Sequence, residues 1–320
     1  MTQKTIVITG GSGFVGSNLI KKLNTQGLSN IIIIDNYDER KFLNIKDCQF
    51  IDYITYKKGL PHIEEALTKH EVDAILHIGA NADVLIKDAE IMFNANYEHS
   101  KFYLDYCTAR NIPLIYASSS AVYGNSNNCI IDNNFEHPHN VYSWSKWMFD
   151  KYVQANMHAF ESRVIGLRFF NIFGMGEFHK DKNASLPHRF YSFIRDKGFI
   201  DLFDKQIERD YVWVEDVCNV ILEMLNDRSI KNGIYNLGSG NPISHRAMAE
   251  LVVEECVKRN ISTAGSSSLI KSIPMPEDLV DSFQFHTKAE DLPEIVRKHT
   301  EGNKEKIRIY VNQLIDRNTV

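Results

Sequence analysis

A short apolar run, Thr5–Thr9 (TIVIT), leads straight into Thr9-Gly10-Gly11-Ser12-Gly13-Phe14-Val15-Gly16 and then into a helical pattern, Gly16–Gln26. Few folds accommodate that succession. Gly10, Gly13 and Gly16 recur at every third position. Glycine at such positions lets a backbone turn tightly and approach a pyrophosphate with no Cβ in the way. A helix that opens there offers free N–H groups and the positive end of its dipole to phosphates. A glycine triplet alone is weak, but this one sits between an apolar strand and a helix. An acidic residue, Asp35, closes the next apolar run 19 positions after Gly16, close to the spacing of about 20 expected for a ribose ligand. The segment predicts a dinucleotide crevice lined by Gly10, Gly11, Gly13, Phe14, Val15, Gly16 and Asp35. Asp35 favours NAD. Arg40 and Lys41 follow closely and suit a 2′-phosphate, so NAD and NADP both stay open.

The first half continues in the same texture. Ile31–Asp35 (IIIID), Ala74–His77 (AILH), Leu114–Ala117 (LIYA) and Arg163–Phe170 read as strands, with helical stretches such as Asn96–Arg110 between them. Apolar runs without alternation suit parallel strands covered on both faces, and strand–helix alternation predicts an α/β, doubly wound parallel sheet of the Rossmann type. From about Gly174 the pattern loosens. Val212–Val214, Ile234–Leu237 and Leu269–Ile273 read as short strands, Asp216–Asn226 and His245–Arg259 as helices, and Ser266–Ser268 as a loop. The expected organisation is a dinucleotide-binding domain over 1–173 and a smaller α/β substrate lobe over 174–320, with some chain crossing between them. A net charge of −5 disfavours a nucleic-acid partner. Five cysteines without C-x-x-C spacing point to a reducing, cytoplasmic setting, and no cluster has metal-ligand spacing. Apolar runs fall far short of the roughly 18 residues a membrane helix needs.

Chemistry enters with Tyr142-Ser143-Trp144-Ser145-Lys146. On a helix, Tyr142 and Lys146 share a face one turn apart. A phenol with an ordinary pKa near 10 is a poor base at neutral pH. A neighbouring ammonium, with the nicotinamide charge, would favour its phenolate. Upstream, the strand at Leu114–Ala117 runs into Ser118-Ser119-Ser120 and Val122-Tyr123-Gly124. Hydroxyls at the carboxyl end of a parallel strand sit where open α/β sheets bind ligands.

The succession TGGSGFVG, SSSAVYG and YSWSK resembles the extended short-chain dehydrogenases/reductases, which transform nucleotide sugars. The matching serine lies four residues before Tyr123, so the resemblance implies Ser119, Tyr142 and Lys146 as a triad. Further segments are similar to the ADP-L-glycero-D-manno-heptose 6-epimerase family: Arg168–Gly174 (RFFNIFG), Glu177-Phe178-His179-Lys180 with Ala184-Ser185, Arg209–Val217 (RDYVWVEDV), Tyr235–Gly238, and Ile273-Pro274-Met275-Pro276 leading to Leu279, Gln284, Thr287 and Ala289. In that family a hydride leaves C6 of the heptose, a ketone forms, and the same hydride returns to its other face. The resemblance implies Tyr142 and Lys180 as acid/base groups for the two configurations, with a nucleotide-diphosphate sugar as partner and a homo-oligomer as the assembly. Further cofactor contacts are expected at Asn36, Lys41, Ile78, Gly79, Ala80, Asn96, Lys146 and Ile172. Substrate contacts are expected at Asn171, Ser185, Arg189, Phe203, Asp204, Arg209 and Phe283. Arg209 suits a diphosphate because a guanidinium grips phosphate oxygens in pairs. His77 and His179 read as structural or loop histidines.

Two departures from the family pattern leave the sugar and the nucleotide open. A run of small hydroxyl residues after Ala80 is replaced by Asn81-Ala82-Asp83-Val84-Leu85-Ile86-Lys87, and Phe283 stands in place of a tyrosine. The same departures suit a dehydrogenase that releases its keto product. A non-catalytic dinucleotide-sensing module is the remaining alternative, although it would have no need of Tyr142 and Lys146. Dehydration of the sugar is disfavoured, since Ser120-Ala121-Val122 brings no carboxylate beside Ser119.

Overall fold

A computed structural model describes residues 4–83, 86–126, 128–261, 269–280 and 283–318. Val84 and Leu85, and the loop expected at Ser266–Ser268, lie outside them. The strands are β1 (Ile6–Thr9), β2 (Ile31–Asp35), β3 (Asp52–Thr55), β4 (Ala74–His77), β5 (Leu114–Ser119), β6 (Val164–Phe169), β7 (Asn171–Phe173), β8 (Ile200–Phe203), β9 (Glu208–Arg209), β10 (Tyr211–Trp213), β11 (Gly233–Leu237), β12 (Ile243–Ser244) and β13 (Ile270–Ile273). The helices are α1 (Phe14–Thr25), α2 (Glu39–Ile45), α3 (Leu60–Leu67), α4 (Ala89–Phe93), α5 (His99–Arg110), α6 (Val141–Asn156), α7 (Leu186–Lys197), α8 (Val214–Asn226), α9 (His245–Lys258), α10 (Glu277–Val280), α11 (Glu294–Arg297) and α12 (Asn303–Asn318).

The main sheet has seven strands in the order β11-β6-β5-β4-β1-β2-β3. The registered pairs are parallel, with Ile6 opposite Ile31 and Ala74, and Leu114 opposite Val164. Order reverses beside β1, the switch point at which doubly wound sheets bind ligands. β1, β2, β4 and β5 are buried along their whole length, as strands covered on both faces must be. This is the Rossmann-type α/β sheet that the sequence predicts.

Two compact units divide the chain. The first comprises 1–122, 138–169 and 218–235. Its core packs Val7, Ile32, Ile34 and Ile75 of the sheet with Leu104, Phe149 and Val153 of the helices. The second comprises 123–137, 170–217 and 236–320. Three small sheets, β7 with β10, β9 with β12, and β8 with β13, share a core with α7, α9 and α12, built on Phe173, Tyr191, Trp213, Val252 and Tyr310. Among the described residues no helix is long and apolar enough to cross a membrane.

Element boundaries moved where capping decided them. α1 starts at Phe14 rather than Gly16, because Gly13 takes the N-cap position. α5 is preceded by a wider turn, Asn94–Glu98, so its regular part begins at His99 rather than Asn96. Val214 opens α8 and leaves the strand to Tyr211–Trp213.

Candidate active site

In the first unit the glycine turn has the geometry a diphosphate requires. Gly10 has φ of +65°, and a Cβ there would stand 2.7 Å from Gly79 Cα. A Cβ on Gly16 would lie 2.2 Å from the Gly10 carbonyl oxygen. No side chain caps the first turn of α1, because Gly13 occupies the N-cap. The N-terminus of α1, with no side-chain cap, turns the positive end of its dipole toward an anion. These features fit a dinucleotide. Gly16→Ala is expected to push the helix off the turn and weaken NAD(H) binding about tenfold or more. Fluorescence titration checks this, and unchanged affinity would remove the pyrophosphate from this turn.

Asp35 is buried at the end of β2. One carboxylate oxygen accepts from Ser12 N at 3.2 Å and Ser12 Oγ at 2.7 Å. The other accepts from Asn36 N at 2.7 Å and Lys41 Nζ at 3.2 Å. Lys41 is thus not a solvated loop charge; it neutralises Asp35. Arg40 lies 3.9 Å from Asp38. Thr9 Oγ1 accepts from Gly79 N at 2.9 Å and lies 2.7 Å from His77 Nδ1, while His77 Nε2 lies 2.9 Å from Ser100 Oγ. Burial, with Lys146 and His99 adding to it, pushes the pKa of His77 well down. It is a neutral structural histidine beneath the loop that carries Ile78, Gly79 and Ala80. Asn96 is fully buried. Its Oδ1 accepts from Asn81 N at 2.8 Å, and its Nδ2 donates to Asn81 O at 2.9 Å and Ser145 Oγ at 3.1 Å. It clamps the segment after β4 and ties it to α6.

The reactive groups gather at the carboxyl end of β5. A capping box formed by Asn140 and Ser143 starts α6 and fixes where Tyr142 and Lys146 stand. Ser119 is hydrogen-bonded to Tyr142, and Ser119 Oγ accepts from Ala121 N at 3.1 Å. Neighbouring Ser118 turns the other way and donates to Asp150 Oδ2 at 2.8 Å. The structure therefore separates the serines, one toward the phenol and one toward a buried carboxylate. Lys146 is buried and donates to the Ala117 carbonyl at 2.8 Å. Burial brings its pKa down to about 8, against the opposing pull of Asp150. The phenol differs from expectation. Burial raises the pKa of Tyr142, and the lowering influence is the Ser119 hydroxyl rather than the Lys146 ammonium.

The other expected site residues lie in the second unit. Lys180 sits in a turn of 3₁₀ helix, Phe178–Asn183, 3.9 Å from the buried carboxylate of Glu177. Burial lowers its pKa and Glu177 opposes that. Glu177 also accepts from Ser185 N at 2.6 Å, from the Ser185 hydroxyl, and from Tyr310 OH at 2.7 Å. Ser185 is thereby committed to holding the loop. Asn171 turns its amide to Asp210 O at 2.9 Å, and Ile172 pairs with Val212 between β7 and β10. Phe203 ends β8 opposite Ile273, and Asp204 N donates to Ile273 O at 2.9 Å. Arg209 lies over the Phe283 ring at 5.1 Å and Arg189 near that of Phe193 at 5.8 Å. Three functional candidates escaped sequence reading: Glu177, which braces Lys180, and Gln284 and His245 near Arg209. Among the described residues, no three His, Cys, Asp or Glu side chains are grouped to hold a metal ion.

A parallel sheet with a glycine-lined phosphate turn at its switch point, and a serine, a tyrosine and a lysine on β5 and α6, defines a dinucleotide-dependent enzyme of the Rossmann class. The chain belongs to the NAD dependent epimerase/dehydratase family, whose model matches residues 6–238. It is similar to the ADP-L-glycero-D-manno-heptose-6-epimerase of Helicobacter pylori, with 25% identity and a TM-score of 0.82 over 98% of this chain and 96% of that one. The fold is shared with the UDP-N-acetylglucosamine 4-epimerase of Methanobrevibacter ruminantium, solved with UDP-N-acetylmuramic acid, at 21% identity and a TM-score of 0.81 over 99% of this chain and 100% of that one. It is also shared with the UDP-glucose 4-epimerase of Thermotoga maritima, solved with UDP-glucose, at 19% identity and a TM-score of 0.79 over 98% and 99% of the two chains.

Proposed function

We propose that this protein is a nucleotide-sugar epimerase that removes a hydride from a carbinol carbon and returns it to the opposite face, with an ADP-linked heptose as the best-supported substrate. The observation that carries the reading is a second lysine of lowered pKa, Lys180, in the Glu177–Lys180 segment that resembles the heptose epimerases. A net dehydrogenase needs one acid/base group; a second suits an epimerase whose two configurations present their oxygens to different groups. NAD or NADP, bound at the glycine turn, supplies the hydride acceptor and donor. Ser119 holds the carbinol oxygen and Tyr142 takes its proton as the ketone forms. Lys146 supplies positive charge near the phenol. For the other configuration Lys180 exchanges the proton, its charge stabilised by Glu177. Burial lowers the cost of deprotonating Lys180, as a base near neutrality requires. The relation to the heptose epimerase of Helicobacter pylori supports the same sugar, and the UDP-sugars in the other two structures support a diphosphate-linked substrate.

Incubation of the purified enzyme with ADP-glycero-manno-heptose tests the reading. Interconversion of the two C6 epimers with no net change in NAD(P)H absorbance is expected. Stoichiometric reduction of the dinucleotide with release of a keto sugar would replace it with the dehydrogenase, and no turnover of any nucleotide sugar would overturn both.

A further inference from the structure

The second unit holds a partly buried guanidinium, that of Arg209, with which no carboxylate of the described residues forms an ion pair. Burial pushes the pKa of Arg209 down to about 10, and the groups opposing this are the Tyr211 phenol and the Cys129 thiol. Asp210, next in the chain, is committed elsewhere. One of its oxygens accepts from Ser239 N at 2.8 Å and Ser239 Oγ at 2.6 Å, the other from Gly240 N at 2.8 Å and Ala289 N at 2.9 Å. Gln284 Oε1 accepts from Arg209 Nη1 at 3.0 Å, which fixes the direction of the amide. Arg209 Nε and Gln284 Nε2 are then left buried without a hydrogen-bond partner. Two adjacent buried donors in that state are costly unless a ligand brings acceptors.

We propose that Gln284 and His245 join Arg209 as ligands of one bound diphosphate in the second unit. This rests on the reading above that the substrate is a nucleotide-diphosphate sugar. His245 follows β12 directly, and β12 places Ile243 in register with Arg209. The His245 N–H is already given to Ile207 O at 2.9 Å, and Ala247 N to Ser244 Oγ at 3.1 Å. These backbone groups are committed, which leaves the His245 side chain as the part of this turn free to serve as the proposed ligand. The charged groups acting on it are Arg209 of β9 and Arg189 of α7, which also face the Tyr211 phenol of β10. A sugar diphosphate is a diester with one negative charge per phosphorus, which matches the two guanidinium groups.

A measurable consequence follows. Burial, reinforced by Arg209 and Arg189, holds the pKa of His245 down to about 3, so the ring is neutral near pH 6. A diphosphate cancels the guanidinium field and adds two negative charges, which raises that pKa. Where that rise carries the pKa toward the working pH, binding takes up protons.

Titration calorimetry with UDP-glucose and ADP-glucose, run at pH 6 in buffers of different ionisation enthalpy, reads the uptake. These probes have no phosphate proton that titrates near neutrality. Proton uptake that depends on His245 is expected. His245→Asn should abolish it and weaken binding about tenfold, and Gln284→Leu should weaken binding at least tenfold while keeping the uptake. Unchanged NAD binding by each variant serves as the folding control. Tight binding of either probe with no difference in uptake between wild type and His245→Asn, or with full affinity in Gln284→Leu, would overturn the ligand assignment and leave the nucleotide-sugar reading intact. Failure of both probes to bind folded wild type would overturn that reading and the assignment with it.

Discussion

Tyr142→Phe is expected to lower kcat on the nucleotide sugar by about 10²–10⁴, the range associated with loss of a positioned acid/base group, while NAD(H) affinity stays within a few fold. The substitution removes one oxygen and leaves the ring, so α6 keeps its capping box and Lys146 keeps its bond to Ala117. What disappears is the hydroxyl, the proposed proton acceptor, with its hydrogen bond to Ser119. Because burial raises the phenol's pKa, its conversion to a phenolate depends on positive charge nearby. In the mechanism proposed above, the drop should be accompanied by loss of the pH dependence assigned to Lys146, whose pKa is about 8. Steady-state rates from pH 6 to 10, with dinucleotide affinity measured in parallel, check both. Turnover close to wild type in a folded Tyr142→Phe protein would take the phenol out of the chemistry.

The parts of this site that could be read from sequence are those whose chemistry is local. The glycine turn is legible because the backbone constraint lies in the glycines themselves, and β2 because Ile31–Ile34 is suited to little except a strand buried on both faces. The placement of Tyr142 and Lys146 one turn apart on a single helix, α6, is legible through their spacing. Ser119 was separable from its neighbours through the family resemblance, and in the structure Ser118 faces Asp150 while Ser119 faces Tyr142. What could not be read depends on distant pairs. Glu177 looks like an ordinary loop acid until Tyr310, 133 positions later, donates to it. Gln284 is separated from Arg209 by 75 positions. The strands β9 and β12 contain two residues each, too few for any alternation to show, yet their register brings His245 near Arg209. Nor could the pairing of Lys41 with Asp35 be read, since the two are joined only through the fold.

Asp150→Ala should be the most destabilising single change near the site, costing about 3–5 kcal/mol, because it leaves a buried charge without its counter-ion. Asp150 and Arg168 are both 0% exposed. Asp150 Oδ2 accepts from Arg168 Nε at 2.9 Å and Ser118 Oγ at 2.8 Å, and Oδ1 from Tyr116 OH at 3.0 Å. One carboxylate thus joins α6 to β5 and β6 immediately below the reactive end of β5. A urea midpoint shift with unchanged slope reads the loss, and a cost under about 1 kcal/mol would mean that the pair is not closed in solution. Asp150→Asn preserves the shape and isolates the electrostatic part. Asp150 is the group that raises the pKa of Lys146 against burial, so its neutralisation must move that pKa below about 8. In the mechanism proposed above Lys146 supports Tyr142 as an ammonium, a charge lost as pH rises through its pKa of about 8. The alkaline limb of the rate profile should therefore move to lower pH in Asp150→Asn, while rates at pH 6 fall much less. An alkaline limb that stays where it is in wild type would show that Lys146 keeps its charge by another route and would reduce Asp150 to a purely structural residue.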